Sequence, residues 1–119
     1  MKIMKFGGTS VGRPERMNQV KDLITLDDEK KIVVLSALSG TTNALVSIGD
    51  SLSAGKKDDA REKIQSLHEH YLDFHKQLLS SESGRAKAMQ IITEHFEFLN
   101  IILKISFNEA INKDILAQG

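Results

Sequence analysis

Apolar positions along the 119 residues fall into two kinds of pattern, short runs and helical stripes. The runs are residues 3–6 and 32–38, and the second sets Ile32, Val33 and Val34 in unbroken succession before Leu35. An unbroken β-branched run is the pattern of a strand covered on both faces, as in parallel α/β sheets. Between the runs, Met17, Val20 and Ile24 recur at helical spacing, and Pro14 suits the first position of a helix. The acidic cluster Asp27, Asp28 and Glu29 then turns the chain into the second run. This order predicts a βαβ unit, expected to cross over with the right hand. Ser39 and Gly40 break the second run, and Leu45, Ile48 and Leu52 begin the next helical stripe.

The remainder, residues 56–119, carries no strand signal. Ile64, Leu67, Tyr71, Phe74 and Leu78 follow spacings of three and four, and Met89, Ile92, Phe96, Leu99 and Leu103 repeat them beyond a polar break at residues 80–84. Two such stripes joined by a short turn predict an antiparallel helical hairpin over residues 58–104. Asp58 or Asp59 suits its N-cap. Phe107, Ile111, Ile115 and Leu116 predict one more short helix ending at Gly119. The expected organisation is therefore βαβα over 1–55, where six of the eight glycines and the single proline lie, and helices over 56–119.

Sixteen Lys and Arg balance sixteen Asp and Glu. With no global basic field, a general nucleic-acid or anionic-membrane binder is disfavoured, and functional charge becomes a matter of placement. The absence of Cys removes disulfide frameworks and thiolate zinc sites. No apolar stretch approaches the roughly 20 residues that span a bilayer, and no signal peptide is visible at the start, so a cytoplasmic protein is expected.

Candidate chemistry concentrates after the first run, at Gly7 and Gly8. A glycine pair between strand and helix lets backbone N–H groups approach an anion, and phosphate is the natural guest. The plain alternative is a tight turn in which glycine supplies only positive φ. Two features favour the anion. Lys5 lies between Met4 and Phe6 in an expected core strand, where an ammonium is costly unless an anion meets it, and Thr9 and Ser10 add hydroxyls. Gly7 and Gly12 have Walker-A spacing, but Arg13 and Pro14 stand where that motif needs Lys and Ser or Thr. The dinucleotide glycine spacing is absent too. A second candidate group, Ser36, Thr42 and Asn43, follows the second run, where ligands of open α/β sheets bind, although Thr41 or Thr42 also suits a helix cap. Of the four histidines, His68 and His75 are seven residues apart and His68 and His70 point to different faces, so a metal site is disfavoured and solvated helix histidines are expected.

The run Lys-Phe-Gly-Gly-Thr-Ser-Val over residues 5–11, after an aliphatic strand, resembles the signature of aspartate kinases. Val33, Val34, Leu35, Ser36 and Ala37, then Gly40, Thr42 and Asn43, resemble that family's second strand and its following loop. Residues 115–119, Ile-Leu-Ala-Gln-Gly, resemble the segment that precedes a glutamate of the aspartate site. The resemblance implies an α/β fold, the N-terminal part of a three-layer αβα amino-acid-kinase architecture with a long helical hairpin, and an incomplete catalytic domain over 1–119. It implies phosphoryl transfer from ATP, accompanied by Mg²⁺, to the side-chain carboxylate of L-aspartate, the first step toward lysine, threonine and methionine. Lys5 is then the catalytic residue, and Lys5, Gly7, Gly8, Thr9 and Ser10 hold ATP phosphates. Ser36, Thr42 and Asn43 bind aspartate, and no residue is assigned to a metal. A homo-oligomer is expected, with neither nucleic acid nor membrane as partner, and the segment alone is expected to be inactive. Two rivals are a related amino-acid kinase with another acceptor, such as glutamate or carbamate, and a non-catalytic module that works through the helical hairpin.

Overall fold

The computed structural model describes residues 1–105 and 115–119. Two compact units divide the chain, Met1–Gly40 and Thr41–Gly119. The first holds strand β1 (Lys2–Phe6), helix α1 (Pro14–Ile24) and strand β2 (Lys31–Leu35). Pro14 stands at the start of α1, where its missing N–H costs nothing, and Thr25 closes the helix by returning its hydroxyl to the Lys21 carbonyl at 2.8 Å. The strands pair in parallel, with Ile3 opposite Ile32 and Lys5 opposite Val34.

Side chains alternate across a sheet with period two, and burial here follows that alternation. Met4, Phe6 and Val33 are half-buried, whereas Ile3, Lys5, Ile32 and Val34 all lie exposed, Ile3 at 74%. Within the described residues, then, one face of the sheet is covered and the face bearing Ile3, Lys5, Ile32 and Val34 is not. The run of β2 is apolar on both sides, but within the described residues only one side receives cover.

An ion cluster ties the ends of this unit together. The Asp27 carboxylate accepts from Lys2 Nζ at 2.8 Å and from Lys31 Nζ at 3.0 Å. Lys31, largely buried, also donates to the carbonyls of Ile24 and Asp27, linking the end of α1 to the start of β2. The hydrogen bond from Lys2, then that from Lys31, holds the Asp27 carboxyl well below the usual carboxylate range. A carboxyl lowered in the folded state stabilises it above its unfolded pKa of about 3.9, and that stabilisation is lost as pH falls through the lower folded value. Hydrogen-exchange protection of β1 and β2 amides is therefore expected to weaken below about pH 4, and Asp27→Asn to flatten that acid dependence. Identical acid profiles for the two proteins would rule out the cluster as the cause.

The second unit is helical: α2 (Thr41–Ser53), α3 (Lys57–Leu78) and α4 (Glu82–Ile102). Gly55, at φ +74°, closes α2 in the left-handed conformation that terminates helices, with Gly55 N–H on the Leu52 carbonyl and Lys56 N–H on that of Ser51. The core joins Leu45, Ile48 and Leu52 of α2, Ile64 and Leu67 of α3, Ile92, Phe96 and Leu99 of α4, and Ile115. Both expected stripes are present, with Met89 at an exposed margin and Tyr71 and Leu78 half-buried.

The expected cap is not. Lys56 occupies the N-cap of α3 without a side-chain bond, while Asp58 pairs with Arg61 at 2.8 Å and Asp59 accepts from Ser51 at 2.6 Å and from Lys63 at 3.0 Å. Packing of α2 on α3 presents Ser51 to Asp59, and this tertiary bond displaces the local one. The cap of α4 is local: Ser81 Oγ accepts from Gly84 N–H at 3.1 Å. Of the last predicted helix, Phe107 and Ile111 lie outside the described residues, and residues 115–117 are helical. Among the described residues no helix is long and apolar enough to cross a membrane.

Candidate functional site

At its carboxyl end β1 passes into a loop over residues 7–13 before α1 begins at Pro14. The loop opens with a turn in which Ser10 N–H donates to the Gly7 carbonyl at 3.0 Å. The N–H groups of Gly7, Gly8 and Thr9 donate to no protein acceptor among the described residues. They precede α1, which begins at Pro14, by five or more residues, so the loop presents them by its own turn and not as part of a first helical turn.

Neither Gly7 nor Gly8 has positive φ, so conformational need does not explain the pair. A Cβ on Gly7 would meet nothing within 4 Å, and one on Gly8 would lie 3.7 Å from Ser36 Oγ, an ordinary contact. Gly12 is different. A Cβ there would come within 2.9 Å of both the Gly8 carbonyl oxygen and Ser39 Cβ, so the fold of the loop on itself and the close passage of the segment after β2 together require glycine. The Walker-A comparison drew attention to this glycine without finding that role.

Lys5 stands next to the loop, on the bare face of the sheet. It is exposed, which corrects the expectation of an ammonium in a core strand: its side of β1 is the one without cover. Lys2 is paired with Asp27 and Glu29 and Lys31 with Asp27, whereas Lys5 Nζ has neither ion pair nor hydrogen bond among the described residues. Thr9 is exposed and Ser10 half-buried. Ser36, just past β2, donates its N–H to the Phe6 carbonyl at 3.1 Å and its hydroxyl to the Ala37 carbonyl at 2.9 Å. The Met1–Gly40 unit therefore gathers Lys5, Gly7, Gly8, Thr9, Ser10 and Ser36 at the carboxyl ends of two parallel strands, the usual ligand edge of an open α/β sheet. A free ammonium beside unengaged N–H donors can receive an anion.

Thr42 and Asn43 belong to the other unit, in the first turn of α2, and both are exposed. Neither threonine hydroxyl caps the helix. Thr41, only 2% exposed, shares a 2.7 Å hydrogen bond with the Tyr71 hydroxyl, and burial pushes the pKa of that phenol up. Tyr71 reads in the sequence only as a stripe residue; its polar tip shows its use once α2 folds back on α3. Of the four histidines, His70 and His95 are exposed as expected, while His68 and His75 depart from expectation. His68 stacks on Phe96 with centroids 4.4 Å apart, and His75 is buried with Nδ1 unpartnered among the described residues, because both ride at the margin of the α3 stripe. No group of three or more metal-ligating side chains occurs among the described residues.

Comparison with known proteins decides the family. The chain is 39% identical over 105 residues to chloroplastic aspartokinase 3 of Arabidopsis thaliana, a match that covers 86% of this chain and 18% of that protein. In sequence, the chain is a relative of the aspartokinases. Lysine-sensitive aspartokinase 3 of Escherichia coli K12 is 37% identical over 65 residues, 55% of this chain and 14% of that protein. No protein-family profile matches. Two crystal structures of E. coli aspartokinase III, one with aspartate and ADP and one with lysine and aspartate, superpose on the whole chain with TM-scores of 0.74 and 0.75 at 24% identity. They show the fold: the chain is part of the α/β amino-acid-kinase architecture. It spans 26% of the solved aspartokinase III chains, and under a fifth of the plant relatives.

Proposed function

We propose that this chain forms the phosphate-cradling part, and one wall of the aspartate site, of an aspartate kinase. The reaction joins a side-chain carboxylate oxygen of L-aspartate to the γ-phosphorus of ATP, breaks the bond from that phosphorus to the β–γ bridging oxygen, and yields 4-phospho-L-aspartate and ADP. Its product would feed lysine, threonine and methionine synthesis. The observation that carries the reading is the pairing of an unneutralised ammonium, Lys5, with consecutive unengaged N–H groups at Gly7, Gly8 and Thr9. Phosphoryl transfer asks a protein mainly to position and to stabilise charge, and these groups do both. Lys5 neutralises charge on the transferring group, Gly7 and Gly8 donate to phosphate oxygens, and Thr9 or Ser10 adds a hydroxyl. Ser36, Thr42 and Asn43 hold aspartate, in keeping with the aspartate bound in both E. coli structures. Mg²⁺ accompanying ATP would screen its phosphates, and none of this chain's described residues is assigned to hold it. The 119 residues alone are expected to be inactive.

Amide spectra recorded while MgATP is added test the cradle. The Gly7, Gly8 and Thr9 resonances are expected to move together and saturably, and Lys5→Ala to weaken that response. Resonances that stay fixed through millimolar MgATP, or move equally in both proteins, contradict the reading. Replacing aspartate by glutamate in an assay of a complete enzyme carrying these residues separates the rival acceptor.

A further inference from the structure

We propose that Tyr71, through its hydroxyl, is a positioning residue for aspartate: it fixes the first turn of α2, and with it Thr42 and Asn43. The proposal rests on the aspartate kinase reading above. The first turn is the least secured part of any helix, because its N–H groups have no partners within the helix. Here it follows Gly40, whose φ of +84° no side chain restrains. Further along α2, Leu45 and Ile48 are sunk in the core, and Ser51 is bonded to Asp59 and Lys63. At the beginning, the Thr41–Tyr71 pair is the sole side-chain hydrogen bond among the described residues.

The chemistry of that pair leaves little freedom. A helical threonine usually returns its hydroxyl to the carbonyl four residues back, but the first residue of a helix has no such carbonyl within its own helix. Thr41 is buried, so losing Tyr71 leaves its hydroxyl without a protein partner. Tyr71 is held in turn: its ring meets Phe96 edge-on at 6.0 Å on the packed α3–α4 hairpin. The rigid hairpin thus reaches across with one hydroxyl to the turn that carries Thr42 and Asn43, both exposed toward whatever they bind.

Tyr71→Phe keeps the ring and removes the tie, Thr41→Val removes it from the other side, and Thr41→Ser keeps it. In the 119-residue chain, amide exchange of Leu45 and Val46 reports first-turn opening, since helical geometry bonds these N–H groups to the carbonyls of Thr41 and Thr42. Exchange is expected to quicken about fivefold in Tyr71→Phe and in Thr41→Val, no further in the double variant, and hardly at all in Thr41→Ser. Amides of Leu67 and Leu99 should keep their rates. In a complete aspartokinase carrying these residues, Tyr71→Phe is expected to raise KM for aspartate about fivefold, with KM for ATP unmoved and a smaller change in kcat. Unchanged exchange, or additive effects in the double variant, overturns the tie. Faster exchange with an unaltered KM for aspartate overturns the positioning role. A complete wild-type enzyme that ignores aspartate sinks the functional reading instead, and the exchange data still decide the tie.

Discussion

Lys5→Ala, in a complete aspartokinase carrying these residues, lowers kcat by about two to three orders of magnitude while KM for aspartate changes little. The expectation follows from where the charge sits. Among the described residues Lys5 is not committed to any carboxylate, so its ammonium is available to a ligand at no cost of breaking an internal pair there. A charge poised at the carboxyl end of β1 acts most strongly on the species carrying the most negative charge on its reacting oxygens, which is the transition state of phosphoryl transfer. Lys5→Arg is a useful companion, because it preserves charge but spreads it over a planar fork, and should recover only part of the rate. A kcat within about twofold of wild type for Lys5→Ala would show that the lysine is an ordinary strand-end charge.

The largest effect on stability is expected at Phe96. Its ring is 5% exposed at the meeting of α2, α3 and α4, stacks on His68 at an interplanar angle of 10°, and receives the edge of Tyr71. Truncation to alanine removes the transfer free energy of a buried ring and leaves a cavity, together costing about 3–5 kcal/mol. That is most of what a small domain has, since net stabilities start at about 5 kcal/mol. The melting temperature of the helical unit should fall by about 12 °C or more, read by circular dichroism at 222 nm. His68→Ala, which removes one stacked partner and no core volume, should cost far less. A loss below about 1 kcal/mol for Phe96→Ala would mean that the three helices do not share one core.

The helices were legible because their evidence is local and periodic: Ile64 to Leu78 and Met89 to Leu103 spell their stripes at spacings of three and four, and Pro14 marks the start of α1. The loop chemistry at Lys5, Gly7 and Gly8 was legible from residue type beside a strand. What escaped depends on neighbours distant in sequence. Asp59 suits a cap until α2 folds back and offers Ser51. Gly12 is indispensable because the Gly8 carbonyl oxygen of its own loop and the distant Ser39 both lie 2.9 Å from where its Cβ would be. The β2 run is apolar on both sides, and which of its residues are covered within the described residues follows from the layers present, leaving Ile32 and Val34 exposed. Tyr71 was hidden by its own ring: a stripe position accounts for the aromatic part and is silent about the hydroxyl.

The uncovered sheet face bears on how the chain behaves while it folds. Ile3, Ile32 and Val34 make up three of its four positions, and Lys5 is the fourth. Exposed flat apolar sheet invites pairing with its like, and a single charge set into it is a common way of preventing that. Because these residues lie in the first third of the chain, they leave the ribosome before the helical unit, and the patch is present from the moment β1 and β2 pair. A charge at the Lys5 position is expected to hinder such pairing, whatever else that ammonium does. Its replacement by alanine would complete a continuous apolar strip with Ile3, Ile32 and Val34, so Lys5→Ala is expected to lower solubility as well as remove a charge, which light scattering of the two proteins at equal concentration would show.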